Sequence, residues 1–194
     1  MNSIEKVRCP WCGKDPLYVK YHDEEWGIPV HDDRKHFEFL LLESAQAGLS
    51  WITVLRKREN YRDAMDAFDP VKIAVYDEKK LEELLLNPGI IRNRLKLKAA
   101  INNAQKFLEV VREFGTFDSY IWSFTKNKTI LNHFSKLSDL PATSELSDRI
   151  SADLKKRGFK FVGSTIIYAH LQAIGIINDH LISCFRRTEQ DNIL

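Results

Sequence analysis

LKKRGFKFVGSTIIYAHLQAIG, residues 154–175, is the stretch that decides the fold. Apolar residues at three- and four-residue spacings lead into Arg157 and resume after Ser164, so both flanks read as amphipathic helix. Between them, Gly158 and Gly163 bound a short turn. The pattern predicts helix, hairpin, helix. The first N–H groups of the second helix have no partner within that helix, and Lys155, Lys156, Arg157 and Lys160 stand beside them. Lys160, Gly163, Ser164 and Thr165 therefore form a candidate phosphate grip; an ordinary α-hairpin with basic decoration is the alternative.

The same periodicity recurs along the chain. Segments 33–47, 50–67, 78–86, 91–114, 116–124, 144–157, 164–175 and 178–185 read as helices. Asp69-Pro70 and Asn87-Pro88-Gly89 punctuate them, and Ser144 to Ser147 offer N-caps. No stretch alternates at period two, and 126–141 reads as an irregular connection with one short helix. The expected fold class is all-α, with 1–194 a single domain whose two helical lobes flank a cleft.

Composition narrows the classes. Hydrophobic content of 44% with 29% charged residues is ordinary for a globular chain, and no apolar run reaches the length of a membrane span. The first residues lack the apolar core of a secretory signal, which predicts a cytoplasmic protein. Net charge is only +2, yet RKRENYR (56–62), RNRLKLK (92–98) and KKRGFK (155–160) are basic clusters that suggest a positive surface facing a polyanion.

FEFLLLESAQAGLSWITVL (37–55) poses a different question. Glu43 follows three leucines, and burying an unpaired carboxylate is costly. It faces water, is paired, or serves chemistry. The loop that follows carries Gly48 and Leu49; Leu49 is either a wedge into DNA or packing between helices.

Three cysteines in such a chain argue for thiols or a metal. Cys9 and Cys12 (CPWC), His22, His180 and Cys184 are five candidates for four places around one ion. His180 and Cys184 at i and i+4 would share a face if helical. The ion would tie together the two irregular ends. No carboxylate beside these ligands suggests itself as a water activator, so the metal reads as structural.

The chain resembles the 3-methyladenine DNA glycosylase I family of the helix–hairpin–helix glycosylase superfamily. The likeness spans roughly residues 8 to 187 and rests on DPLYVKYHDEEWG (15–27), ESAQAGLSWITVLRKRENYR (43–62), FDPVKIA (68–74), GIIRNRLKLKAAINNA (89–104), LKKRGFKFVGSTIIY (154–168) and INDHLISC (177–184). It implies one structural zinc on Cys9, His22, His180 and Cys184, with Cys12 an extra thiol. It implies a base pocket of Glu43, Tyr21, Trp26 and Trp51, and a phosphate-gripping hairpin at 158–165. Other superfamily members carry a catalytic aspartate beyond the hairpin; this chain has Asn178 there, as the family's own pattern does. The implied activity is that of a monofunctional glycosylase flipping N3-methyladenine from alkylated double-stranded DNA, with Glu43 the catalytic and base-binding carboxylate. Membrane association and a nucleotide cofactor are not expected, and the chain is expected to be a monomer. Trp11, Tyr18 and Trp122 are expected in the core or around the zinc, and His31, His36, His133 and His170 as structural or exposed. No lysine stands out as a Schiff-base nucleophile, so no lyase step is expected. The competing readings are a non-catalytic helix–hairpin–helix DNA binder and a metal-dependent hydrolase.

Overall fold

The computed structural model describes residues 6–187. Ten α-helices lie among them: α1 (Pro16–Glu24), α2 (Asp33–Gln46), α3 (Trp51–Leu55), α4 (Arg58–Ala64), α5 (Pro70–Ile73), α6 (Glu78–Leu86), α7 (Arg94–Phe114), α8 (Phe117–Ser123), α9 (Glu145–Lys156) and α10 (Ser164–Ala173). Their starts are written locally. Asp15, Asp32, Asp69, Asp77, Asn93, Thr116 and Ser144 each accept a backbone N–H of the following first turn, which satisfies donors a helix start leaves open.

α2 is the central element. Every residue from His36 to Ala45 is buried, and the helix packs on α3, α7, α8 and α10. A helix apolar nearly all round has no solvent face, so any polar residue on it must be paired or cavity-facing. Around it Phe37, Phe107 and Phe117 form one aromatic stack of the core.

Three expectations are corrected. The predicted 50–67 helix is broken into α3 and α4, followed by a turn in which Asp66, Ala67 and Phe68 all have positive φ. The predicted helix 178–185 does not form: Ile177–Asn178 pairs in parallel with Ile130–Leu131 as a two-residue strand pair, and the chain then turns. Long-range pairing wins there over a short local apolar pattern. Immediately before that strand, Gly175 (φ +71) lies against the backbone of Ile28 and Pro29, where an added Cβ would sit 2.3 Å from the Ile28 carbonyl carbon. Only glycine allows this crossing.

The third concerns charge. Arg58 is buried between Glu25 and Glu38, Arg62 binds Glu38, and Arg56 binds Asp15. Arg94 binds Glu78 and Glu82, and Arg157 binds Glu113 and Asp153. Within 56–62, Arg58 and Arg62 thus cement helices rather than face outward, whereas Arg92, Arg94 and Lys98 stay exposed at the surface. Lys155, Lys156 and Lys160, by contrast, make no ion pair among the described residues.

Candidate active site

Two carboxylates of α2 are buried, and their environments are opposite. Glu38 meets Arg58 at 2.5 Å, Arg62 at 3.0 Å and Lys35 at 3.5 Å. Glu43, 3% exposed, accepts no hydrogen bond and has no ion-pair partner among the described residues. Burial alone raises its pKa from 4.5 to about 8, because a lone carboxylate in a low-dielectric site disfavours its charge.

Glu43 faces a cavity of about 180 Å³ whose walls include Trp11, Tyr18, Tyr21, Trp26, Gln46, Trp51 and Gln172. The rings interlock: Tyr21 and Trp51 at 5.4 Å between centroids, Trp11 and Trp26 at 4.9 Å, Trp11 and Tyr18 at 5.0 Å. Such offset and edge contacts hold π-faces in fixed positions. Burial, then the nearby Glu43, pushes the Tyr21 phenol well above its ordinary range, so it stays protonated.

The structure brings together Glu43, Tyr21, Trp26 and Trp51 as the sequence suggested. It also corrects the placing of Trp11 and Tyr18, which line this cavity, Trp11 packing at the same time against His22 of the cysteine–histidine cluster. Trp122 is core, with its indole N–H donating to the Val30 carbonyl. His31 and His133 are exposed, and His36 and His170 are buried, as expected. Gln172 was missed altogether. Asn178 is fully buried and accepts the His180 backbone N–H; it lines neither this cavity nor the next.

A second cavity, also about 180 Å³, shares Glu43, Gln46 and Ala169 with the first and continues past Ala47, Gly48, Leu49 and Thr165. It forms a passage from the surface to Glu43. Leu49 stands 41% exposed at its mouth, beside Gly48 in the left-handed region at φ +78. Lys96 donates to the carbonyls of Ala45 and Ala47, fixing the end of α2 just where the loop leaves it.

The hairpin lies on the other side of that mouth. Its carbonyls are taken inward: Gly158 by Asn102, Lys160 by Asn103, Phe161 by Ser44 and Val162 by Ser151. These clamps hold Phe161 at φ +53, a conformation that costs a bulky residue on the order of 1–3 kcal/mol. Gly163 is the N-cap of α10 and makes no side-chain cap. An added Cβ there would meet nothing within 4 Å. The helix start is thus open to a close-lying phosphate, with Lys160 exposed beside it.

Cys9, His22, His180 and Cys184 converge, all buried, with their ligand atoms within 4.8 Å of one another. The spacing from 180 to 184 is bridged by a turn instead of the expected helix, yet Cys184 Sγ still lies 3.5 Å from His180 Nδ1. Each histidine uses its other nitrogen elsewhere. His22 Nδ1 meets Asp23, itself gripped by Arg8, and His180 Nε2 donates to the Trp26 carbonyl. Those bonds set both tautomers so that the remaining nitrogens face the sulfurs. A hydrogen bond from Cys9, followed by the two histidines, holds the Cys184 thiol strongly toward thiolate. Four such groups can hold one metal ion. Cys12 donates its thiol to the Cys9 carbonyl and stands outside the set.

The sequence pattern of the family described as methyladenine glycosylase matches residues 11–187. The chain is 49% identical over 177 residues to DNA-3-methyladenine glycosylase 1 of Escherichia coli (strain K12), covering 91% of this chain and 95% of that one. It is 46% identical over 178 residues to DNA-3-methyladenine glycosylase of Haemophilus influenzae, covering 92% and 96%. A crystal structure of 3-methyladenine DNA glycosylase I superposes with a TM-score of 0.89 at 49% identity, over 92% of this chain and 98% of that one. The Staphylococcus aureus 3-methyladenine DNA glycosylase I, solved for the basis of its 3-methyladenine recognition, superposes at 0.90 with 36% identity, over 93% and 96%.

Proposed function

Because the chain belongs to the methyladenine glycosylase family, we propose that it flips N3-methyladenine out of duplex DNA and hydrolyses its N-glycosidic bond, leaving an abasic site. The observation that carries this reading is Glu43: a buried carboxyl without a hydrogen-bond or ion-pair partner among the described residues, set among aromatic rings in a cavity.

Alkylation at N3 makes the adenine cationic while it is still joined to the sugar. The base then departs neutral, so no acid is needed to protonate it. The protein has to extract the base, select it and stabilise positive charge. Extraction costs a few kcal/mol of unstacking and unpairing. Lys160, Gly163, Ser164 and Thr165 hold the backbone through an α10 start open to phosphate. Gly48 and Leu49 stand at the cavity mouth, where Leu49 fills the space the base leaves.

Inside, Tyr21, Trp26 and Trp51, joined by Trp11 and Tyr18, offer π-faces that favour a cationic ring over neutral adenine by about 1–2 kcal/mol when desolvated. Glu43 supplies the larger selection. With its pKa near 8 it is mostly protonated in the empty cavity at neutral pH. A cationic base stabilises the carboxylate, which in turn accepts from the amino edge and attracts the charge. This role is binding and electrostatic. No lysine lines either cavity, which fits a monofunctional reaction without a Schiff base.

The cysteine–histidine cluster is read as a zinc site. With Zn–S about 2.3 Å and Zn–N about 2.05 Å, the S···N edge of a tetrahedron is about 3.5 Å. The S···N separations are 3.5, 3.5 and 3.6 Å. Zinc there would join residues 9–22 to 180–184 and, through His180 and the Trp26 carbonyl, steady one wall of the pocket. It supplies folding free energy, not a reacting group.

The deciding assay incubates methylated duplex DNA with the protein and measures free 3-methyladenine. Release by wild type, strongly reduced in Glu43→Gln, is expected. DNA binding without base release would instead identify a non-catalytic helix–hairpin–helix binder.

A further inference from the structure

Gln172 lies on α10 and lines the same cavity as Glu43. Its Nε2 donates to Asp179 Oδ2 at 2.6 Å. Asp179 is 1% exposed and also accepts from the Tyr168 hydroxyl at 2.6 Å and from Asn132 Nδ2 at 2.7 Å. Asp179 Oδ2 receives both the Tyr168 hydroxyl and the Gln172 amide nitrogen, so the amide has one orientation: nitrogen to Asp179, oxygen away from it. That oxygen meets no protein donor among the described residues. With Gln172 on the cavity wall and its nitrogen taken, the carbonyl oxygen is the part of the amide left to meet a ligand there, beside the Glu43 carboxyl.

Resting on the glycosylase reading, we propose that Gln172, locked as an acceptor by Asp179, is a specificity-determining residue that selects purines bearing an amino group at position 6. The amino group of 3-methyladenine carries two N–H donors, one for each acceptor. A 6-oxo purine, such as 3-methylguanine, places an oxygen at that edge. It would meet the Gln172 oxygen as acceptor against acceptor, and burying that mismatch is costly. Asp179 is then a positioning residue: it touches no substrate and acts by forbidding the rotated amide, which would offer an N–H to the oxo group.

The test compares excision of 3-methyladenine and 3-methylguanine from the same methylated duplex by wild type, Gln172→Met and Asp179→Asn. Methionine keeps the length of the side chain and removes the whole amide, the carbonyl together with the N–H that Asp179 accepts. The 3-methyladenine to 3-methylguanine ratio of kcat/KM is expected to fall about tenfold or more in Gln172→Met; the ratio is read on the folded fraction, because removing a donor to buried Asp179 also lowers the melting temperature. Asp179→Asn frees the amide to rotate, and the ratio should move the same way. Titrating free 3-methyladenine and free 3-methylguanine into each folded protein, read by fluorescence of the cavity tryptophans, reports the same preference without catalysis and serves if Asp179→Asn folds poorly. An unchanged ratio in Gln172→Met, or an equal loss of both activities, overturns the assignment. No base release by wild type would instead overturn the glycosylase reading itself.

Discussion

Glu43→Gln should make the protein more stable as it impairs selection, and the gain should depend on pH. Below pH 4.5 the carboxyl is neutral in both folded and unfolded chains. Between pH 4.5 and about 8 the unfolded chain releases its proton while the folded chain keeps it. The unfolded state then binds fewer protons, so this residue lowers stability as pH rises, by about 1.4 kcal/mol per pH unit. Over the whole window, the shift from 4.5 to about 8 amounts to at most about 5 kcal/mol. Glutamine has no such titration. Between pH 5 and 7.5 its advantage over wild type should therefore grow by about 3 kcal/mol. For a chain of 194 residues that is a widening of about 6–12 °C in the Tm difference. Thermal unfolding of the two proteins across that pH range measures it, and taking the difference cancels groups common to both. A Tm difference that stays constant with pH would show that Glu43 is solvated or paired, and the account of the pocket would collapse with it.

The other expectations can be checked alongside. Affinity for a cationic base should fall roughly tenfold per pH unit below about pH 8, as Glu43 has first to give up its proton; a flat profile in a tryptophan-fluorescence titration at fixed ligand charge would contradict this. Asp23→Ala, which frees His22 Nδ1, should loosen metal retention about 10–100-fold in competition with a chelator. Chelation of wild type should lower Tm more than it changes the chemistry of whatever remains folded. Leu49→Ala should leave Tm within about 1–2 °C, because Leu49 is largely at the surface, yet weaken binding to abasic duplex. Gly175→Ala should cost several kcal/mol, since its Cβ would lie 2.3 Å from the Ile28 backbone, and denaturant unfolding will read it.

The sequence by itself pointed to most of the longer helices and to the start of α9 at Ser144, because a capping side chain lies within three residues of the N–H it accepts; α1 (Pro16–Glu24) and α5 (Pro70–Ile73) were not among the predicted segments. It also pointed to the hairpin, to five cysteine and histidine candidates of which four converge, and to Glu43 as a carboxyl in an apolar run. Family resemblance sharpened the roles assigned to these residues; periodicity alone left several open. Only the tertiary structure decided what depends on distant partners. Trp11 and Tyr18 look like packing beside a CxxC, yet they wall the cavity because the turn carrying Trp11 packs on α1, which carries Tyr18 and packs in turn on α3. Glu38 and Glu43 are indistinguishable by burial in one helix; Arg58, twenty residues on, neutralises the first, and among the described residues nothing neutralises the second. Residues 178–185 turn instead of coiling because Ile177 and Asn178 pair with a strand nearly fifty residues earlier. Gln172 becomes an acceptor only because Asp179 stands where its nitrogen must go. Local hydrogen bonds are written in neighbouring letters; charge compensation and cavity walls arise from contacts between segments far apart in the chain, and no local pattern encodes them.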